Sequence, residues 1–269
     1  MNDLRLLFKS VRAENRIFWR TPIGAFFTLG LPLIMLVLFV AMFGNEAGFS
    51  GSITTSQFYA PGLAVFAAAS ATYTNIGMLL TVRRDDGILK RMRGTPIPPR
   101  VFLAGVVLSA VWIAFVSTVI MVGLGIVAYG INIELAKVPA MLLSFVIGAV
   151  CFATLGITLA SVAKSAASAP AIANATLLPL GFVSNVFVSF GQDSPRWLEV
   201  VGDIFPLKHF ATAFSASMNP FTQTPAIEWG HLGVLLLWTA GGALVASRKF
   251  TWEPVAGATP RGRRSRRSR

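Results

Sequence analysis

Apolar residues run through this chain in six long blocks, at 23–43, 58–82, 102–130, 138–163, 170–190 and 229–247, with polar breaks between them. Each block is about 20 residues or longer, which at about 1.5 Å of helical rise per residue crosses about 30 Å of hydrocarbon. The pattern predicts six transmembrane helices. The shortest break, 164–169, decides the count: without it there are five spans and the two chain ends fall on opposite sides. Lysine and arginine settle the choice. With six spans and the N-terminus inside, all of the 23 Lys and Arg except Lys137, Arg196 and Lys208 fall in cytoplasmic segments, as positive residues do in membrane proteins. Both ends are therefore expected in the cytoplasm, on an all-α membrane fold.

Two segments outside the six blocks are also patterned. In residues 1–22, Leu4, Leu7, Phe8, Val11 and Phe18 fall on one helical face, and Arg5, Lys9, Arg12, Arg16 and Arg20 on the other. This predicts an amphipathic helix lying in the inner interface, or one packed in the cytoplasm on a partner; Pro22 separates it from the first span. In 191–228, Trp197, Leu198, Val200, Val201 and Ile204 mix with Glu199 and Asp203, followed by Phe210, Phe214 and Met218 at helical spacing. Two short re-entrant helices meeting at Phe205 and Pro206 are expected. The chain thus divides into an interfacial helix (1–22), a six-span domain (23–248) and a basic, disordered tail (249–269). The tail suits anionic lipid or simply fixes topology.

Composition agrees. Of 269 residues 54% are hydrophobic and 13% charged, against about 25% charged in a soluble domain, which excludes a soluble enzyme. The net charge of +12 sits in cytoplasmic blocks without an aromatic platform, which argues against nucleic acid. The first apolar block lacks a small-residue cleavage site and reads as a retained helix. Cys151, a single cysteine in an apolar stretch, reads as a small buried hydrophobe.

The chemistry that is missing from the spans narrows the function. All 11 Asp and Glu residues lie outside the six blocks, whereas proton- or ion-coupled carriers need titratable groups at membrane depth. His209 and His231 read as structural, and neither a metal site nor a catalytic residue is expected. No glycine-rich phosphate loop is present, so any ATPase would be a separate polypeptide and the chain itself no enzyme. Polar residues cluster at Ser70, Thr72, Thr74 and Asn75 of the second span and at Asn174, Thr176, Ser184 and Asn185 of the fifth, beside Pro170 and Pro179. They suit a translocation pathway or ordinary helix packing. Phe66, Phe182 and Phe187 could wall an apolar cargo or face lipid and neighbouring helices.

The loop between the second and third spans reads Arg83-Arg84-Asp85-Asp86-Gly87-Ile88-Leu89-Lys90-Arg91-Met92-Arg93-Gly94-Thr95-Pro96. Asp85 and Asp86 suit the start of a short helix, and the cations its end. Ile88, Leu89 and Met92 share a face that could enter a groove on a partner; the alternative is a solvated loop that only sets topology. From Arg84 to Pro96 the wording resembles the cytoplasmic loop of ABC-2 type transporter permeases, the group that includes daunorubicin-resistance exporters. Phe205-Pro206-Leu207 resembles the family's external Pro-Leu motif, and the likeness in layout covers nearly the whole chain. Asp85, Ile88, Lys90 and Arg93 depart from the family's usual residues.

The resemblance implies a permease subunit that exports a hydrophobic or amphipathic small molecule or a lipid across the inner (plasma) membrane of a bacterium. It implies a separate ATP-binding subunit carrying ATP and Mg, and a second permease copy or homologue. Coupling to the ATPase would fall on Arg84, Asp85, Gly87, Leu89, Met92, Thr95 and Pro96. The pathway would be lined by Thr72, Asn75, Asn174, Thr176 and Asn185. Anionic lipids are expected partners and nucleic acid is not. A non-transporting membrane scaffold or assembly factor is the alternative.

Overall fold

A computed structural model describes residues 3–49, 53–92, 94, 98–188 and 195–253, without the side chains of 47–49. Helix α1 (Asp3–Trp19) packs its Ser10, Val11, Glu14 and Phe18 side along the third span helix. The approach depends on Gly105, where a Cβ would overlap the Ser10 side chain. The cations Arg5, Lys9, Arg12 and Arg16 on the opposite side, and Arg20 just past the helix, are exposed, as are Leu4 and Phe8 at the edge of the apolar face. The packing partner is therefore this chain's own span, and apolar and cationic strips remain outward as an interface helix requires.

Among the described residues, five helices are long and apolar enough to cross a membrane: α2 (Pro22–Phe43), α3 (Thr55–Asp85), α5 (Pro99–Tyr129), α6 (Leu135–Val162) and α10 (Trp229–Lys249). Between α2 and α3 lies a small antiparallel hairpin, β1 (Ala47–Phe49) and β2 (Ile53–Thr54). The hairpin delivers the chain into a reciprocal N-cap, in which Gln57 N–H donates to Thr54 Oγ1 at 3.2 Å and Thr54 N–H to Gln57 Oε1 at 3.0 Å. Helix α3 is the central post: 67% of its apolar window is buried, against 22% for α10. Two wide π-turns, Phe26–Gly30 in α2 and Ser70–Thr74 in α3, interrupt the α-helical register. They are joined by Asn75 Nδ2–H donating to Thr28 Oγ1 at 3.3 Å.

The fifth apolar block departs from expectation. Instead of running through 170–190, it is helical over α7 (Ser168–Val183), 16 residues, or about 24 Å. Asn185 stops it by taking φ +56. The N–H of Val186 then donates to Gly181 O at 3.1 Å and that of Asn185 to Phe182 O at 3.3 Å, the paired bonds of a helix C-terminus closed by a left-handed residue. Phe187 folds back so closely that a Cβ on Gly181 would overlap its ring.

Two short helices precede α10: α8 (Arg196–Ile204) and α9 (Pro206–Met218). Helix α9 is drawn into the bundle against α3, α6 and α10, with Leu207, Phe210 and Phe214 fully buried. The Phe210 ring occupies the space over Gly148 of α6. In hydrocarbon such contacts are held by van der Waals packing rather than by water exclusion, so small residues opposite aromatic rings set the helix positions.

Candidate functional site

The loop between α3 and α5 is built differently from the sequence expectation. Asp85 is the last residue of α3 and Asp86 its cap, so neither opens the loop helix. Gly87 turns the chain at φ +70, and α4 covers Ile88–Met92. An acid at a helix C-terminus opposes the macrodipole; here it is compensated. Asp85 Oδ2 accepts the Ala166 N–H at 2.6 Å, and Oδ1 lies 3.5 Å from Arg84 Nε. Arg84, also buried, donates Nη1 to Ala160 O at 2.7 Å and Nη2 to Ala163 O at 2.6 Å. These carbonyls end α6 and lack intrahelical donors. Arg84 and Asp85 thus clamp the base of the loop to the turn between α6 and α7.

Leu89 does not face outward. It is 0% exposed and packs with Ile76, Leu80, Phe102, Val106 and Ala160, flanked by Met92, Phe250 and Trp252. The apolar side of α4 is used within the chain, and the outward side presents Asp86, Ile88, Lys90 and Arg91. Lys90 lies 4.0 Å from Glu253, both about two-thirds exposed, a pair that contributes little in water. Thr95 and Pro96 lie outside the described residues.

The polar residues of the spans separate into several kinds. Thr72 is fully buried and donates back to Ala68 O at 2.8 Å, so it serves its own helix. Asn75 braces the two π-turns. Thr176 and Tyr73 hydroxyls meet at 2.8 Å and tie α7 to α3. Asn174 is exposed on the outer side of α7, beside exposed Leu178 and Phe182. Asn185 ends α7 and also lines a cavity of about 340 Å³ with Gln57, Ser184, Thr212, Ser215 and Asn219. A second cavity, about 270 Å³ and almost wholly apolar, lies among Tyr73, Phe152, Thr176, Leu177, Phe205 and Trp238.

The family model for the ABC-2 type transporter matches residues 5–219, from α1 through the end of α9. This chain belongs to the ABC-2 type transporter family. It is a multi-pass transmembrane permease of an ABC transporter, of the kind that generally pairs with an ATP-binding subunit. No curated protein matches the chain at a significant level.

In the permease, Phe205, Pro206 and Leu207 form the hinge between α8 and α9. Phe205 stacks on Trp238 with ring centres 6.1 Å apart, and Trp238 Nε1–H donates to Ile204 O at 2.9 Å. Pro206 opens α9, where a missing N–H costs nothing. One turn on, His209 donates Nε2–H to Asp203 O at 2.8 Å, and its Nδ1 shares a hydrogen bond with His231 Nδ1 at 2.7 Å. The pair fastens α9 to α10, in keeping with a structural role. Lys137, also buried, joins Glu134 at 2.9 Å to Asn219 O at 2.9 Å. Tyr73 and Thr28 were not singled out from sequence, and Lys137 was noted there only for its charge. Tyr73 carried a signal, since a phenol in an apolar span needs a partner for its hydroxyl.

Proposed function

We propose that the permease is the transmembrane subunit of an ATP-driven exporter for a hydrophobic or amphipathic small molecule, drug-like in character, or a lipid. It works in the inner membrane of a bacterium as a homodimer or with a close homologue. ATP and Mg bind the separate ATPase subunits, and this chain hydrolyses nothing. The observation that carries the reading is the two-sided loop helix: α4 is fixed on Leu89 and on the Arg84–Asp85 clamp, and offers Ile88, Lys90 and Arg91 to a partner. When the ATPase subunits close on ATP, pressure on that outward side passes through the clamp to the ends of α6 and α7, and through α3 to its π-turn. The second permease copy is supported by Asn174, a polar side chain left outward on an apolar helix, where lipid would be a poor partner.

The test is co-purification of an ATPase with the tagged permease, followed by drug and lipid transport in vesicles. Reversing the outward charges (Lys90→Glu with Arg91→Glu) is expected to cut nucleotide-driven transport by about tenfold, as charge reversal at an interface does, without changing yield or thermal stability. Full transport in that variant, or active transport by the permease alone under a pH or sodium gradient, would overturn the reading.

A further inference from the structure

Beneath α1, with Ala71 from the π-turn of α3 on its wall, lies a cleft of about 290 Å³. Its walls are Ile76, Val106, Ala110 and Ile113, and Ile17 and Phe18 of α1 form the roof. The first turns of α2 do not close it: they contribute Gly24 to the wall, while Ile23, Phe26 and Phe27 point away and are exposed. The charged residue on the lining, Glu14, is neutralised by Arg83 through two 2.7 Å bonds. Asn75 is engaged with Thr28, and Ser109 is the lining hydroxyl without a partner. One free hydroxyl does not hold water, which needs two to four polar partners. Apolar chain is the filling that fits. Beside the roof, Arg12, Arg16 and Arg20 recur every fourth residue on the exposed side of α1, a cationic row suited to a phosphate-bearing headgroup.

We infer that this cleft holds one acyl chain of an anionic inner-leaflet phospholipid, with its headgroup on the row of Arg12, Arg16 and Arg20. Removing the chain would leave the space between Ile17 and Phe18 of α1, Gly24 of α2 and Ala71 and Ile76 of α3 unfilled, so the lipid braces the junction of these helices. The inference deepens the pairing with anionic lipid expected from the sequence and rests on α1 lying at the inner surface.

The full chain in vesicles would be irradiated with phosphatidylglycerol, or with phosphatidylcholine, carrying a photoreactive acyl chain, and the adducts mapped. Adducts on the buried Val106 and Ala110 are expected, several-fold more from phosphatidylglycerol. Gly24→Phe should abolish them, because a side chain there starts with no neighbour closer than Thr21 Cγ2 at 3.7 Å and fills the cleft. Adducts on the outward Leu236 and Leu237 should persist in that variant. Arg16→Glu with Arg20→Glu should lower phosphatidylglycerol labelling to the phosphatidylcholine level. Unlabelled Val106 and Ala110 beside a labelled outer face would overturn the inference, as would equal labelling by both lipids or a second copy of the chain cross-linked in the cleft. Loss of labelling at Leu236 and Leu237 as well would instead remove the membrane embedding on which it rests.

Discussion

The Arg84 guanidinium and the Asp85 carboxylate sit in a loop whose wording points to a partner, yet both turn inward to cap the end of α6 and its following turn. A lysine at 84 has no second donor in a fixed fork and keeps one of the two bonds. Arg84→Lys should therefore cost about 1.5–3 kcal/mol for the lost charged bond, seen as a lower unfolding temperature of the purified permease; an unchanged temperature would count against the clamp. Leu89→Asp would put a carboxylate among apolar side chains and lower stability before it reported on coupling, which is why Lys90 and Arg91 are the cleaner probes. Asn185 offers the opposite case. Asn185→Gly should be tolerated, since glycine takes φ +56 freely, whereas Asn185→Val should destabilise by about 1–2 kcal/mol. Equal unfolding temperatures for the two variants would show that the turn does not depend on this residue.

Among the elements, α1 owes its close approach to a single small residue on another helix. Gly105 admits Ser10 to the surface of α5, and a larger side chain must push the helices apart, at a typical overpacking cost of about 1–3 kcal/mol. Gly105→Val is expected to release α1 without unfolding the spans. A cysteine placed at Ser10 would then react with a water-soluble thiol reagent far faster than in the Gly105 parent, and no change in rate would argue that α1 is held by other contacts. Helix α4 teaches a related lesson. Its apolar face is legible from Ile88, Leu89 and Met92, but periodicity says only that a face exists. Whether it meets a partner or the chain's own Phe102 and Leu80 is a matter of what lies opposite.

At the scale of the whole molecule, the crossing count turns on α7. Sixteen residues, or about 24 Å of helix, fall short of the hydrocarbon thickness of about 30 Å, and the buried α9 stands beside it in the bundle. A membrane-impermeant reagent should label a cysteine at Ser165 from the cytoplasmic side and one at Asn185 from the outside, and a reporter fused after Arg269 should be cytoplasmic. Labelling of both cysteines from one side would reduce the crossings to five.

What the sequence determined by itself was the solvent and the layout. Long apolar blocks can be stable only where backbone groups are satisfied within the helix and side chains meet hydrocarbon, so five of the six blocks appear as helices near their expected limits. The amphipathic N-terminal helix, the paired short helices about Phe205 and Pro206, and the family were legible for the same reason: they are written in local period and wording. The tertiary structure alone decided where α7 stops, since Val186 and Phe187 look as apolar as the span before them and only the turn at Asn185 reverses the chain. It alone turned Arg84, Asp85 and Leu89 inward and left a cleft beneath α1. Those outcomes depend on which groups face each other across helices, and no spacing along one helix specifies the partner on another.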